Sequence, residues 1–275
     1  MSVAVLGPGG VGGMLAAVLP DAIVVSRSPL PDGITLHSRV LGERRAHPRV
    51  VERLSDEVDV LFIATKAVGL DDAVGRIATA PRVVVPLLNG IDHLATLRAR
   101  FPEVVAATIR VEATRLAPGV IEQTSPFLRI ELAGHPEVAE LLNAAGIPAA
   151  VVAGEAQVMW SKLSRLNAIA LTTTAFGAPI GEVRTEHRDD LLAVVRETAA
   201  VAAAEGASID VGAIEHELLE EAHPELLSSM ARDVAAGRPP ELDAIGGAVM
   251  RAAARHGIDT PAVARLVAEV RARLP

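Results

Sequence analysis

The first residues able to do chemistry stand at the start of the chain. Gly7-Pro8-Gly9-Gly10-Val11-Gly12 fits the spacing G-x-G-x-x-G, directly behind the apolar run Val3 to Leu6 and ahead of a helical pattern. In that setting Gly7 permits a tight turn and Gly9 lets the backbone approach a pyrophosphate. Gly12 allows close packing of helix on strand. Gly10 and Val11 begin the helix, whose free N–H groups and partial positive charge suit phosphate oxygens. About 20 residues after the first glycine, an NAD site would place an acidic residue on the ribose hydroxyls. This chain has Ser26-Arg27-Ser28 there. A guanidinium at a strand end suits a 2′-phosphate through charge-assisted hydrogen bonds, so NADP is expected over NAD.

Further polar residues stand at the ends of apolar runs. Thr65-Lys66 follows Val58 to Ala64, and Asn89-Gly90 follows Val83 to Leu88. Ligands of open α/β sheets bind outside the carboxyl ends of strands. Lys66 is therefore expected to hold a negative group, and Asn89 to bond to cofactor or substrate oxygen. Lys162, within Trp160-Ser161-Lys162-Leu163, has apolar neighbours on a helix and could donate a proton. Glu241 follows the turn Gly237-Arg238-Pro239-Pro240, where it could equally complement a helix dipole.

The elements that must carry these residues divide the chain in two. Short β-branched runs alternate with helical patterns in the first half: strands at Val3 to Leu6, Ala22 to Ser26, Ile34 to His37, Val58 to Ala64 and Val83 to Leu88, with a helix at Val11 to Leu19. Runs apolar on both faces suit buried parallel strands in βαβ units. Val104 to Thr114, Gly119 to Thr124 and Phe127 to Leu132 read as later, partly antiparallel strands of the same sheet. A helix at Pro136 to Ala145 and a strand at Ala149 to Val152 complete that half. Beyond Gly154 the periodicity is helical: Glu155 to Phe176, Asp189 to Glu205, Ile214 to Leu219, Pro224 to Ala236, Glu241 to His256 and Pro261 to Leu274. The expected fold is α/β, with a Rossmann-type doubly wound sheet over 1–154 and an all-helical domain over 155–275.

Composition excludes several alternatives. Half of the 275 residues are hydrophobic but aromatics are only 2%, so the core is aliphatic and base stacking is nearly unavailable. A net charge of −8 argues against nucleic acid as a partner. The absence of cysteine removes disulfides and thiolate metal sites and fits a reducing compartment. No apolar run reaches the ~20 residues that cross a bilayer. A cytoplasmic protein without membrane contact is expected, and the alanine-rich helices could support a homodimer. His216, Glu217 and His223 lack the spacing of a helical zinc pair, so no metal is expected. Neither a Gly-x-Ser-x-Gly elbow nor a P-loop is present.

Taken in order, the glycine loop, Arg27, Thr65-Lys66-Ala67, Leu88-Asn89-Gly90, Trp160-x-Lys162-Leu163, Ser228-Ser229-Met230-x-x-Asp233 and Glu241-x-Asp243 resemble the ketopantoate reductase (2-dehydropantoate 2-reductase) family across essentially the whole chain. The resemblance implies NADPH-dependent reduction of a 2-oxo acid to a 2-hydroxy acid in a cleft between the domains. It implies Lys162 as general acid and Glu241 as the residue that grips a substrate hydroxyl. Ser229 and Asn89 would bond to substrate oxygens, and Lys66 would hold cofactor or substrate.

The family's pattern is not matched throughout. Where it carries asparagines one and two turns beyond the lysine, this chain has Leu166 and Ala170. Asn167 is one step along, rotated by about 100° around the helix. Thr173 returns to the face of Lys162 three turns on and is a candidate substrate contact. Ile109-Arg110-Val111-Glu112 lacks the small hydroxyl and glycine residues expected there. Loss of two amides removes hydrogen bonds to a hydroxyl-bearing substrate. Another 2-oxo acid, a β-keto acid or an imine is therefore an alternative substrate, and a non-catalytic NADPH-binding sensor is a third reading.

Overall fold

The computed structural model describes residues 1–30 and 32–274. It divides into two compact units, Met1–Leu88 with His93–Val158, and Asn89–Asp92 with Met159–Pro275. The short loop 89–92 thus leaves the unit on either side of it in sequence and joins the second one.

The first unit contains all twelve strands found among the described residues. These are β1 (Val3–Leu6), β2 (Ile23–Val25), β3 (Ile34–Ser38), β4 (Gly42–Ala46), β5 (Arg49–Val51), β6 (Val60–Ile63) and β7 (Val83–Pro86), then β8 (Ala107–Arg110), β9 (Ala113–Ala117), β10 (Val120–Gln123), β11 (Arg129–Leu132) and β12 (Ala149–Val151). Its helices are α1 (Gly10–Val18), α2 (Leu70–Val74), α3 (His93–Arg98) and α4 (Pro136–Ala144). The main sheet is parallel in the order β5-β2-β1-β6-β7. Strands β1, β6 and β7 are buried at every residue, the property of a sheet covered on both faces. The chain runs outward from β1 to β2 on one side and returns to β6 on the other. The sheet's switch point therefore lies between the carboxyl ends of β1 and β6.

The later strands lie mainly in two further sheets and not in this one, where the reading above placed Val104 to Leu132. A parallel bridge between Val84 and Val104 joins the start of that stretch to β7. One group forms a four-stranded sheet, β4-β3-β10-β9, and another a three-stranded sheet, β12-β11-β8. The antiparallel pairs β9–β10 and β8–β11 are present, but β10 also pairs with β3 in parallel and β11 with β12 in parallel. Burial explains the separation. In β10 and β3 buried residues alternate with less buried ones, so each strand has one core face, which here packs against α1. Such strands would leave polar side chains inside a sheet covered on both sides. Arg49–Val51 and the polar β4, Gly-Glu-Arg-Arg-Ala, carried no strand signal because their burial is slight. A core cluster joins α1 to one face of the main sheet and to the two smaller sheets through Met14, Leu15, Leu36, Phe62, Val85, Ile121 and Ile130.

The second unit is helical. Helix α5 (Glu155–Phe176) is followed by α6 (Ile180–Glu186), α7 (Arg188–Ala204), α8 (Val211–His216), α9 (Ser229–Ala235), α10 (Ala248–His256) and α11 (Pro261–Ala272). Helices α7, α10 and α11 pack on one another around Val194, Val195, Val249, Ala252, Leu266 and Val270. Wide turns of π-helix follow α8 at Glu217–Glu221 and precede α10 at Asp243–Gly247. The helix expected from Pro224 begins only at Ser229. Residues before it bond instead to α6, where Ile180 N–H donates to the Leu226 carbonyl and Gly181 N–H to that of Pro224. The Ser228 hydroxyl then accepts from the Ala231 N–H at 3.0 Å and caps α9. No described helix is long and apolar enough to cross a membrane.

Candidate active site

The glycine loop sits at the switch point of the main sheet. Gly7 has φ +90°, a left-handed conformation, and its N–H donates to the Val25 carbonyl of β2. A Cβ on Gly12 would lie 2.1 Å from the Gly7 carbonyl oxygen, so only glycine allows α1 to leave the turn at this angle. Gly9 differs: a Cβ there would meet nothing closer than 4.0 Å. It is the N-cap of α1, and it offers no capping side chain, nor is there an acidic residue in the first turn. The helix therefore presents bare N–H groups and dipole charge, with Gly10 and Val11 partly exposed beside them.

The neighbouring strand ends supply cations. Arg27 is exposed in a turn after β2, where the Ser26 hydroxyl accepts from the Ser28 N–H and donates to the Ser28 carbonyl. Ser26 is thereby occupied in shaping the turn. Lys66 is exposed after β6. Beside it the buried Thr65 Oγ1 has no hydrogen-bond partner, although the Thr65 methyl packs against Gly7. Bare helix N–H groups, an open backbone at Gly9, two strand-end cations and an unsatisfied hydroxyl form a donor set that fits a dinucleotide's phosphates.

A second polar group lies in the helical unit. Lys162, on α5, places Nζ 2.9 Å from Asn89 Oδ1, and Asn89 Nδ2 donates to Glu241 at 2.8 Å. All three side chains are partly buried. The polarity of this chain is fixed by its members. An ammonium can only donate and a carboxylate only accepts, so the amide must turn its oxygen to Lys162 and its nitrogen to Glu241. The residues come from α5, from the 89–92 loop and from the segment just before α10, remote from one another in sequence. Gly90 holds the loop in place: at φ +83° it lies so close to Ala244 that a Cβ would come within 2.0 Å of that carbonyl oxygen.

Other expected residues stand apart from this cluster. Thr173 is wholly buried, with Oγ1 2.6 Å from the Ile169 carbonyl oxygen and 2.9 Å from Ser228 Oγ, so its hydroxyl braces the cap of α9. Ser229 is exposed at the first position of α9. The serine that makes buried contacts is Ser228, missed because capping residues and ligand-binding serines look alike in sequence. Leu166 is partly buried and Ala170 fully so, while Asn167 turns into the core and donates to Thr198 Oγ1 at 2.9 Å. Arg251, not singled out by sequence, reaches from α10 to Asp92 and Asp243, which lie in the segments that carry Asn89 and Glu241. Among the described residues no group of His, Asp and Glu is arranged to hold a metal ion.

Comparison with known proteins converges on one family. Residues 3–136 match the family described as ketopantoate reductase PanE/ApbA, and residues 156–274 match its C-terminal counterpart. The 2-dehydropantoate 2-reductase of Caulobacter vibrioides is 32% identical over 286 residues, covering 97% of each chain. The crystal structure of 2-dehydropantoate 2-reductase from Methylococcus capsulatus superposes with a TM-score of 0.89 at 26% identity, over 99% of this chain and 96% of that one. A D-mandelate dehydrogenase solved with NADH and anilino(oxo)acetate shares the fold, with a TM-score of 0.88 at 21% identity, over 99% and 98% of the two chains. The chain belongs to the ketopantoate reductase family.

Proposed function

We propose that the chain reduces ketopantoate to pantoate, or a closely related 2-oxo acid to its 2-hydroxy acid, with NADPH. The observation that carries this reading is the oriented chain Lys162–Asn89–Glu241, which sets a proton donor beside a hydrogen-bond acceptor for a hydroxyl. Bound NADPH supplies the hydride that adds to the carbonyl carbon. Lys162 donates a hydrogen bond to the substrate's carbonyl oxygen and gives up its proton as that oxygen becomes an alkoxide. An ammonium has three donors, so it can keep its bond to Asn89 while it does so. Such proton transfer contributes about 10²- to 10⁴-fold to rate. Glu241 accepts from a substrate hydroxyl, and Asn89 keeps the lysine and the carboxylate apart and correctly aimed.

The first unit holds the dinucleotide on Gly7, Gly9, Gly10, Val11 and Gly12, with Lys66 adding charge. The choice of NADPH rests on Arg27, since the related D-mandelate dehydrogenase was solved with NADH. A cytoplasmic location and a homodimer belong to the same reading. A second substrate class is favoured by Leu166, which is partly buried one turn beyond Lys162 and makes that face of α5 apolar. That face suits a 2-oxo acid with a hydrocarbon side chain.

The test follows NADPH absorbance in the presence of ketopantoate and a panel of branched and aromatic 2-oxo acids. Turnover of ketopantoate supports the first reading, and turnover confined to the apolar acids selects the second. Tight NADPH binding with no turnover of any 2-oxo acid would falsify both and leave a sensor.

A further inference from the structure

The site described above depends on a loop that is only four residues long and has no secondary structure of its own. Asn89 must present its amide to Lys162 on one side and Glu241 on the other, and the packing of Gly90 on Ala244 restrains the loop at one point, leaving its far end to be held. Asp92, at its end, accepts two hydrogen bonds from Arg251, from Nε at 3.0 Å and from Nη2 at 2.6 Å. The same guanidinium reaches Asp243, two residues after Glu241: Nη1 donates to Oδ1 at 2.8 Å, and Nη2 lies 2.8 Å from the Asp243 carbonyl oxygen and 3.2 Å from Oδ2. One rigid, planar cation thus ties together the two segments that supply Asn89 and Glu241.

The backbone has been shaped to permit this contact. A Cβ on Gly247 would fall 2.6 Å from Asp243 Oδ1 and 3.0 Å from Arg251 Nη1, so a side chain there would collide with the pair. The π turn at Asp243–Gly247 widens the helix where Asp243 must face Arg251. Hydrogen bonding to Asp243 and, after the opposing effect of burial, to Asp92 raises the Arg251 pKa above its ordinary value. Isolated exposed ion pairs contribute little to stability. The value of this one is geometric.

We propose that Arg251 is a positioning residue, which fixes the 89–92 loop to the Glu241–Asp243 segment so that the Asn89 amide stays oriented between Lys162 and Glu241. It touches neither substrate nor cofactor and acts through Asn89. Lysine cannot replace it, because a single ammonium lacks the planar fork that holds both carboxylates at once. The catalytic consequence rests on the reductase reading above, whereas the physical tie does not.

Two measurements on the whole chain test it. Hydrogen exchange of the ligand-free protein reads the loop directly. Arg251→Ala and the milder Asp92→Asn are expected to speed exchange of the 89–92 amides by about tenfold or more, with the α7–α11 core unchanged. Unchanged exchange in both variants overturns the proposal. Turnover of the active 2-oxo acid reads the consequence. Arg251→Ala should lower kcat by about 10- to 100-fold with a smaller change in KM, and Arg251→Lys should not rescue it. In an Asn89→Ala background the same substitution should cost less than about threefold, because its target is already gone. A full, additive loss in that background also overturns the proposal. If the unaltered chain turns over no 2-oxo acid, the reductase reading falls and the exchange result alone decides the tie.

Discussion

The two polar regions of this chain are built by opposite means. In the first unit the surface proposed to bind phosphates is mostly main chain: bare N–H groups at the start of α1 and an open backbone at Gly9. In the second unit the proposed reactive group is made of side-chain tips, Lys162 Nζ, the Asn89 amide and the Glu241 carboxylate, delivered from three distant segments. A site made of backbone cannot be removed by truncating a side chain; it is broken by adding atoms. A site made of side chains is broken by deleting them and tolerates much of what happens between its segments.

Lys162→Ala tests the second half of that contrast and should have the largest effect. Loss of the proton donor is expected to reduce kcat by about 10²- to 10⁴-fold while leaving NADPH affinity, measured by fluorescence titration, near that of the unaltered chain. Full turnover in this variant would remove the assigned acid. Gly12→Ala tests the first half by addition. The new methyl carbon would meet the Gly7 carbonyl oxygen, a rigid backbone atom, at 2.1 Å. A cost of about 1–3 kcal/mol in denaturant unfolding is expected, with loss of NADPH binding, because α1 or the turn must shift. An alanine accepted with no change in either measurement would mean that the close approach of α1 to the turn is not required.

Arg27→Ala lies between these cases, since it deletes a side chain from a site that is otherwise main chain. The helix N-terminus and glycines should still hold the pyrophosphate, so NADH affinity is expected to stay constant. NADPH affinity should fall by about 10- to 100-fold, corresponding to about 1.5–3 kcal/mol for hydrogen bonds to a charged group. Equal losses for both nucleotides would show that Arg27 reads the shared part of the cofactor and not an added phosphate.

The same contrast explains what was legible in the sequence. The glycine loop could be read because its chemistry depends on spacing within six consecutive positions and on the strand before it. The doubly buried strands β1, β6 and β7 were legible for the same reason, as unbroken apolar runs. The assembly of Lys162, Asn89 and Glu241 was not readable from spacing at all, and only resemblance to a family brought those residues together before the structure did. Thr173 shows the limit of helical phase as an argument. It returns to the face of Lys162 by periodicity, yet its hydroxyl bonds to the Ile169 carbonyl and to Ser228. Arg251 was hidden because ion pairs between Asp92 and a residue so far along the chain leave no local pattern. The four-stranded sheet escaped for a related reason: pairing β10 with β3 depends on one-sided burial against α1, which no single strand records.

The smallest effect should come from the scaffold of the side-chain site. Helix α10, which carries Arg251 near its start, is tied at its far end to α7: Arg255 Nη2 lies 2.9 Å and His256 Nε2 2.7 Å from Glu205 Oε1. Burial pushes the Glu205 carboxyl up, but the hydrogen bonds from His256 and Arg255 together outweigh it and hold the group below its ordinary value of 4.5. A carboxylate lowered on folding contributes stability that is fully present above its unfolded value and disappears as pH falls through the folded one. Denaturant unfolding should therefore show the unaltered chain more stable than Glu205→Gln at neutral pH, by less than about 1 kcal/mol for so exposed a pair. The difference should begin to shrink as pH falls below 4.5 and vanish once pH has passed through the lower folded value. Because the tie is made of side-chain charge, added salt should shrink it as well. A difference that persisted unchanged at low pH would mean that Glu205 acts through packing and not through its charge. The helical scaffold would then be held as the glycine loop is, by shape.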